Sequence, residues 1–101
     1  MELTNEFEPI RKWARSRGLY EKGDVKTQFV KLQEEAGELA KAILKNDHLE
    51  FNDAIGDCVV VLTNLAHLGG VKIEHCINGA YEVIAKRSGK MENGTFVKNA
   101  E

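Results

Sequence analysis

The chain has 101 residues, 43% hydrophobic and 30% charged, with a formal net charge of -2 at pH 7. This composition predicts one globular domain over residues 1–101 and excludes a disordered or collagen-like chain. The acidic balance argues against a protein that coats nucleic acid, because such proteins normally carry a basic excess.

Apolar residues recur at helical spacing along most of the chain, which predicts four helices. The first is expected over residues 5–17, with Thr4 or Asn5 as its N-cap and Pro9 near its start. Its predicted inward residues are Phe7, Ile10, Trp13 and Ala14. The basic run Arg11–Arg17 is expected on a solvated face, with phosphate attraction as the alternative.

The second and third helices are expected over residues 25–45 and 48–68. Asp24 and Asp47 are the predicted N-caps, and Glu50 follows Asp47 at the spacing of a capping box. Because only a few residues join these two helices, we expect them to pack as an antiparallel hairpin.

The fourth helix is expected over residues 73–87, and residues 88–101 are expected to form a loop or extended tail. The predicted inward residues of this helix are Ile77, Ala80, Tyr81 and Ile84. A four-helix chain of this length leaves apolar surface uncovered, so we expect self-association into a dimer or tetramer. The predicted fold class is therefore an all-α, four-helix bundle that is completed by oligomerisation.

Acidic residues lie along the edge of the predicted core. At about 100° per residue, polar side chains of the second helix form a stripe beside its apolar face. The stripe consists of Gln28, Lys31, Glu35 and Glu38. On the third helix Asp53 and Asp57 lie one turn apart, and Asn64 extends their stripe. Asp57 is surrounded in sequence by apolar residues, where an unpaired carboxylate is costly.

Packed side by side, the two helices would direct Glu35, Glu38, Asp53 and Asp57 into one groove. The inward positions offer no matching set of cations, so a divalent ion is the natural remedy for their repulsion. Oxygen ligands without Cys or His favour Mg²⁺, with Mn²⁺ as the alternative, and such sites commonly serve phosphate chemistry. The competing interpretation is a solvated acidic helix face, which is common for Glu-Glu-x-x-Glu.

Two segments carry a family resemblance: Glu34-Glu35-Ala36-Gly37-Glu38-Leu39 and Asp53-Ala54-Ile55-Gly56-Asp57. They resemble the acidic motifs of the MazG-like all-α nucleoside triphosphate pyrophosphohydrolases, in particular the short single-domain members of bacteria and phages. The resemblance extends from Trp13 through Phe96.

The resemblance implies Mg²⁺-dependent hydrolysis of a nucleoside triphosphate to a nucleoside monophosphate and pyrophosphate by a homo-oligomer. It implies that Glu35, Glu38 and Asp57 bind metal, and that Glu34 and Glu38 are candidate catalytic residues. One position departs from the pattern, because Ala54 stands where the second motif has an acid. Asp53 is the neighbouring substitute, and the number of metal ions stays open.

Basic and aromatic residues complete the predicted site. Phosphate-binding candidates are Lys31 on the second helix and Lys86, Arg87 and Lys90 near the end of the fourth. Trp13 is a candidate for stacking on a nucleobase, with a place in the core or a subunit interface as the alternative.

Other sequence features favour an intracellular hydrolase over other classes. No apolar run reaches the roughly 18 residues of a membrane span, and no signal peptide is evident, so we expect a cytoplasmic protein without membrane or nucleic-acid partners. Cys58 and Cys76 are expected to be buried free thiols. The alternatives are a non-catalytic helical module that binds a nucleotide or a protein and, less favoured, a helix-turn-helix DNA-binding protein.

Overall fold

The computed structural model describes residues 6–100, which form five helices and one two-stranded antiparallel sheet. The elements are α1 (Phe7–Ser16), α2 (Leu19–Lys22), α3 (Val25–Lys45), α4 (His48–Leu68), α5 (Ile73–Ile84), β1 (Gly89–Glu92) and β2 (Thr95–Lys98). The prediction of a mainly helical fold is confirmed, whereas the proposed caps Thr4 and Asn5 lie outside the described residues.

The central feature is the α3–α4 hairpin, whose two helices begin and end where the sequence placed them. Asp24 Oδ1 accepts a hydrogen bond from Thr27 N at 2.8 Å, and Asp47 Oδ1 accepts one from Glu50 N at 3.0 Å. Both predicted N-caps are therefore present. Asn46 ends α3 in the left-handed conformation (φ 54°), so two residues suffice to reverse the chain.

The four predicted helices are present, but the structure adds a short helix after α1 and a β-hairpin where residues 88–101 were expected to form a loop or extended tail. Gly18 adopts φ 79°, which turns the chain directly into the short helix α2. The tail folds into the β1–β2 hairpin, with Gly89 opposite Lys98 and Glu92 opposite Thr95. The turn residues Asn93 and Gly94 both have positive φ, as a two-residue hairpin turn of type I′ requires. The predicted helix end at residue 87 also moves back to Ile84.

Little apolar side-chain volume is buried within a single chain. The buried apolar residues among those described are Ala14, Ala42, Ala54, Val61, Ala66 and Ile73. The radius of gyration is 16.0 Å, against about 13 Å for a compact domain of this length. Ala80, Tyr81 and Ile84, predicted to face inward, are exposed, and so is Trp13 on α1.

Two buried polar contacts join helices that are far apart in sequence, one between α1 and α5 and the other between α2 and α4. Arg11, predicted to be solvated, is only 4% exposed, and its guanidinium donates to both Glu74 carboxylate oxygens at 2.7 and 2.5 Å. This bidentate ion pair joins α1 to α5. Asn64 does not extend the acidic stripe, because it is buried and accepts a hydrogen bond from the Tyr20 hydroxyl at 2.6 Å.

The remaining general expectations have mixed outcomes. Cys58 is half-buried as a free thiol, whereas Cys76 is exposed, contrary to the prediction. Within residues 6–100 no single helix is both long and apolar enough to cross a bilayer, although α4 and α5, joined at a 104° bend, meet those limits together.

Candidate functional site

An acidic cluster lies between the two central helices and consists of Glu35 on α3 with Asp53 and Asp57 on α4. The α3–α4 connection folds the chain so that Glu35 and Asp57 face each other near the middle of the hairpin. Burial raises the pKa of the Asp57 carboxyl group, and the negative charges of Asp53 and Glu35, with a hydrogen bond to Glu35, raise it further. Ionisation of Asp57 is therefore disfavoured by burial and by repulsion from two neighbouring carboxylates.

Lys31 partly neutralises this acidic cluster. Its ammonium lies 3.3 Å from Glu35 Oε1 and 3.5 Å from Glu34 Oε2, one turn further along α3. The hydrogen bond to Glu35, followed by the charge of Glu34, raises the pKa of Lys31. Lys31, predicted to lie on the same stripe of this helix, is thus the cation that pairs with Glu35, whose side chain is only 15% exposed. One lysine is still not a set of cations that matches the acids.

Glu34 and Glu38, the predicted catalytic residues, are both exposed on α3. Glu34 contacts Lys31, as described above, and Glu38 lies 3.9 Å from Lys41 on its outer side. Glu38 is not among the groups that shift the pKa of Asp57. The structure thus brings together Glu35, Asp53 and Asp57, and it leaves Glu38 one turn away.

The departure from the family motif has a packing explanation. Ala54 is 1% exposed and packs in the small core between the helices. Asp53 is exposed beside it, and after burial its negative charge is the next cause of the raised pKa of Asp57. An acid at position 53 reaches the acidic cluster, whereas position 54 belongs to the helix interface.

The acidic cluster fits a divalent cation by its chemistry. Carboxylate oxygens are the donors that Mg²⁺ and Mn²⁺ prefer. Burial, followed by the negative charges of Asp53 and Glu35, raises the pKa of Asp57, so a bound cation would favour its ionised form. Within residues 6–100, however, no three Asp, Glu, His or Cys side chains lie close enough together to hold a metal ion as they stand. The predicted convergence of four carboxylates is therefore not found in the single chain.

The predicted basic residues fall into two separate places. Lys86 and Arg87 follow the end of α5 and line a cavity of about 740 Å³ against the β1–β2 hairpin. Lys90 lies on β1 and forms an ion pair with Glu92 at 3.2 Å, outside the lining of that cavity. Lys98 of β2, which was not among the predicted site residues, lines the same cavity. The Asn93-Gly94 turn was the signal that would have placed it there.

Trp13 lies at a second, apolar cavity. The residue is 51% exposed, and the Arg17 guanidinium lies 5.4 Å from the centre of its ring. The cavity has a volume of about 340 Å³ and is lined by Pro9, Ile10, Trp13 and Val60. Val60 is one turn from Asp57 on α4, so α4 connects this cavity to the acidic cluster.

Comparison with known proteins places these features in a family. Residues 24–91, which include the acidic cluster, match the model of the MazG nucleotide pyrophosphohydrolase domain. Over 57 residues the chain is 46% identical to an uncharacterized 18.2 kDa protein in the rep-hol intergenic region of Haemophilus phage HP1 (strain HP1c1). That alignment covers 56% of this chain and 35% of the phage protein. No solved structure matches the chain.

Proposed function

This chain belongs to the MazG nucleotide pyrophosphohydrolase domain family, and we propose from that premise that it hydrolyses nucleoside triphosphates to nucleoside monophosphate and pyrophosphate. The observation that carries the proposal is the acidic cluster inside the matched segment, where a half-buried Asp57 faces Glu35 and Asp53. A carboxyl group whose pKa is raised by burial and by specific neighbouring charges is typical of a functional site. The expected role is the removal of unwanted nucleotides in the cytoplasm.

Members of this family generally use divalent metals. In this chain Glu35, Asp53 and Asp57 would hold Mg²⁺ or Mn²⁺, with Glu38 as a fourth candidate ligand one turn along α3. When bound, the cation supplies positive charge to the triphosphate oxygens and makes the phosphorus more susceptible to attack. Lys31 forms an ion pair with Glu35, so its ammonium lies beside the residues that would hold the cation.

The chain's own residues then have distinct tasks. Lys31 lies at the edge of the acidic cluster, where its ammonium is placed to donate to a phosphate oxygen. Glu34 is exposed and adjacent to Lys31, so it is the candidate that orients the attacking water and accepts its proton. The apolar cavity beside Trp13 would receive the base of the nucleotide, because aromatic faces stack on any nucleobase.

We propose further that the working form is a homodimer or homotetramer. A single chain leaves large apolar side chains in water, including Leu44 and Leu49, both 84% exposed near the α3–α4 connection. Exposed apolar surface of this extent is typical of an interaction surface. A second copy that covers it would also exclude water from the neighbouring acidic cluster.

Pyrophosphate release from a panel of ribo- and deoxyribonucleoside triphosphates, with Mg²⁺ and with a chelator, tests the proposed activity. We expect metal-dependent release that falls by at least about a hundredfold in Glu35→Gln and Asp57→Asn. Glu21→Gln, which removes an exposed acid on α2, is the matched control. Absence of metal-dependent release from every triphosphate would favour a non-catalytic module that has kept the fold.

A further inference from the structure

The cavity between the end of α5 and the β1–β2 hairpin is a basic pocket that joins Lys86 and Arg87, both predicted from sequence, with Lys98, which was not. Its volume is about 740 Å³, within the range of ligand pockets. Among its lining residues are the cations Lys86, Arg87 and Lys98, the acid Glu82, and the polar residues Ser88 and Asn99. We refer to it as the cationic cavity. Cations outnumber acids there, so its preferred ligand is an anion.

The backbone fixes the relative positions of the three cations. Lys86 N donates to Val83 O at 3.2 Å and Arg87 N donates to Ile84 O at 3.1 Å, so both residues continue the last turn of α5. Lys98 pairs with Gly89, two residues beyond Arg87. The cations therefore lie on two elements that are joined at one point, which holds them at one cavity.

Ser88, Gly89 and Asn99 hold β2 close to the end of α5. Asn99 N donates to Ser88 O at 2.8 Å, and Asn99 Nδ2 donates to Ser88 Oγ at 3.0 Å, which extends the pairing beyond the strands. A Cβ atom at Gly89 would collide with the Val97 carbonyl oxygen and the Phe96 ring. Glycine at this position is what allows β2 to bring Lys98 against the end of α5.

The cations are also available for a ligand. Within residues 6–100 none of the three forms an ion pair, whereas Lys90, on the same hairpin, is paired with Glu92. Cations at a helix C-terminus also stabilise the helix dipole, which accounts for Lys86 and Arg87. That effect does not account for Lys98, which reaches the cavity from the end of a strand.

We propose that the cationic cavity is a binding site for linked phosphate groups, with Lys98 as its third cation. The Arg87 guanidinium would bind two phosphate oxygens through its forked N–H groups, and the lysines would contribute compact positive charges. Identification of the ligand as the polyphosphate chain of a nucleotide rests on the proposed function. The site itself rests on the cavity and its charges.

Calorimetric titration of the full chain with inorganic tripolyphosphate, in chelator so that no divalent ion bridges it to the acidic cluster, tests the site. We expect saturable binding that weakens by about tenfold in Arg87→Gln and in Lys98→Gln, the loss typical of one charge-assisted hydrogen bond. Lys45→Gln is the matched control, because Lys45 is an exposed cation at the end of α3 and does not line the cavity. We expect it to bind as the unsubstituted chain does.

Equal binding by Lys98→Gln and Lys45→Gln would overturn the proposal, and so would the absence of saturable binding by the unsubstituted chain. Circular dichroism of each variant ensures that a loss of binding is not a loss of fold. The source of the ligand is then decided by triphosphate hydrolysis, where a raised KM in Lys98→Gln identifies the substrate and an unchanged KM identifies a separate phosphate ligand. If no triphosphate is hydrolysed, the proposed function fails while the calorimetric result still decides the site.

Discussion

Asp57 is the acidic residue of the cluster whose pKa is raised by folding. Its pKa in the folded chain lies above the reference value of 3.8, so ionisation is less favourable after folding than before. The folded chain thus binds a proton that the unfolded chain releases, and stability falls as the pH rises from about 3.8 through the raised pKa. At neutral pH the metal-free protein carries this cost in full.

We therefore predict that Asp57→Asn melts at a higher temperature than the unsubstituted chain in chelator. The same variant should lose the stabilisation that millimolar Mg²⁺ gives the unsubstituted chain, because one ligand is missing. Differential scanning calorimetry with and without Mg²⁺ measures both effects, and Glu21→Gln serves as control. A lower melting temperature for Asp57→Asn in chelator would show that Asp57 is a structural partner instead.

Arg11 and Glu74 form the buried polar link between α1 and α5. Hydrogen bonds from Arg11, outweighing the opposing effect of burial, lower the pKa of Glu74 from 4.5 to about 2. Because the pKa is depressed on folding, this carboxylate stabilises the fold above pH 4.5, and the contribution is lost as the pH falls through about 2.

We predict that Glu74→Gln lowers the free energy of unfolding by about 2 kcal/mol at neutral pH, because Arg11 loses a bidentate partner and keeps Glu8. The unsubstituted chain should lose stability between pH 5 and pH 2 more steeply than this variant. Urea unfolding across that range measures the difference, with Glu21→Gln as the control at an exposed acid. Parallel pH profiles would show that the ion pair contributes nothing to stability.

At the scale of elements, sequence predicts best where the signal is local. Asp24 and Asp47 specify the starts of α3 and α4 through hydrogen bonds to residues three positions away, and both boundaries were predictable. Burial of Arg11 was not, because its partner Glu74 lies 63 residues away in sequence. The acidic cluster was recognisable by helical spacing, and the same spacing places Lys31 one turn from Glu35, where the two form an ion pair.

The β1–β2 hairpin was not predicted, although the signal for its turn is local. Asn93-Gly94 between short apolar segments is a strong local signal for a two-residue turn. The flanking strands are only four residues long, so they add little pattern of their own. The element depends on Gly89, where any side chain meets the backbone of β2.

We predict that Gly89→Ala opens this hairpin at a cost of about 1–3 kcal/mol, the range for overpacking a closed contact. Amide chemical shifts of residues 95–98 should move toward random-coil values while those of α3 and α4 stay unchanged. Met91→Leu, at an exposed position of β1, is the matched control and should keep the hairpin shifts. Native shifts in Gly89→Ala would contradict the importance of the close approach.

At the scale of the whole molecule, a single chain has too little buried apolar surface for its length. The core consists largely of alanines, while Phe29, Val30 and Leu44 lie exposed on α3. Under the oligomer proposal, folding and association are expected to be coupled, since a second copy would supply the missing burial.

This coupling predicts that the melting temperature rises with protein concentration. A tenfold increase should shift the transition by several degrees, as mass action requires for a dimer that unfolds to monomers. Sedimentation velocity at the same concentrations checks that the species present is a dimer or tetramer. A concentration-independent transition with a monomeric sedimentation coefficient would contradict the oligomer proposal.

The proposed function requires the acidic cluster of this MazG-family chain, with a divalent ion bound, to direct water to the α phosphorus of a nucleoside triphosphate. Phosphorus NMR of the products formed in isotopically labelled water tests it most directly. We expect nucleoside monophosphate and pyrophosphate, with the label in the monophosphate, and no products in chelator or with Asp57→Asn. Formation of nucleoside diphosphate and phosphate, label in the pyrophosphate, or equal turnover in chelator would contradict it.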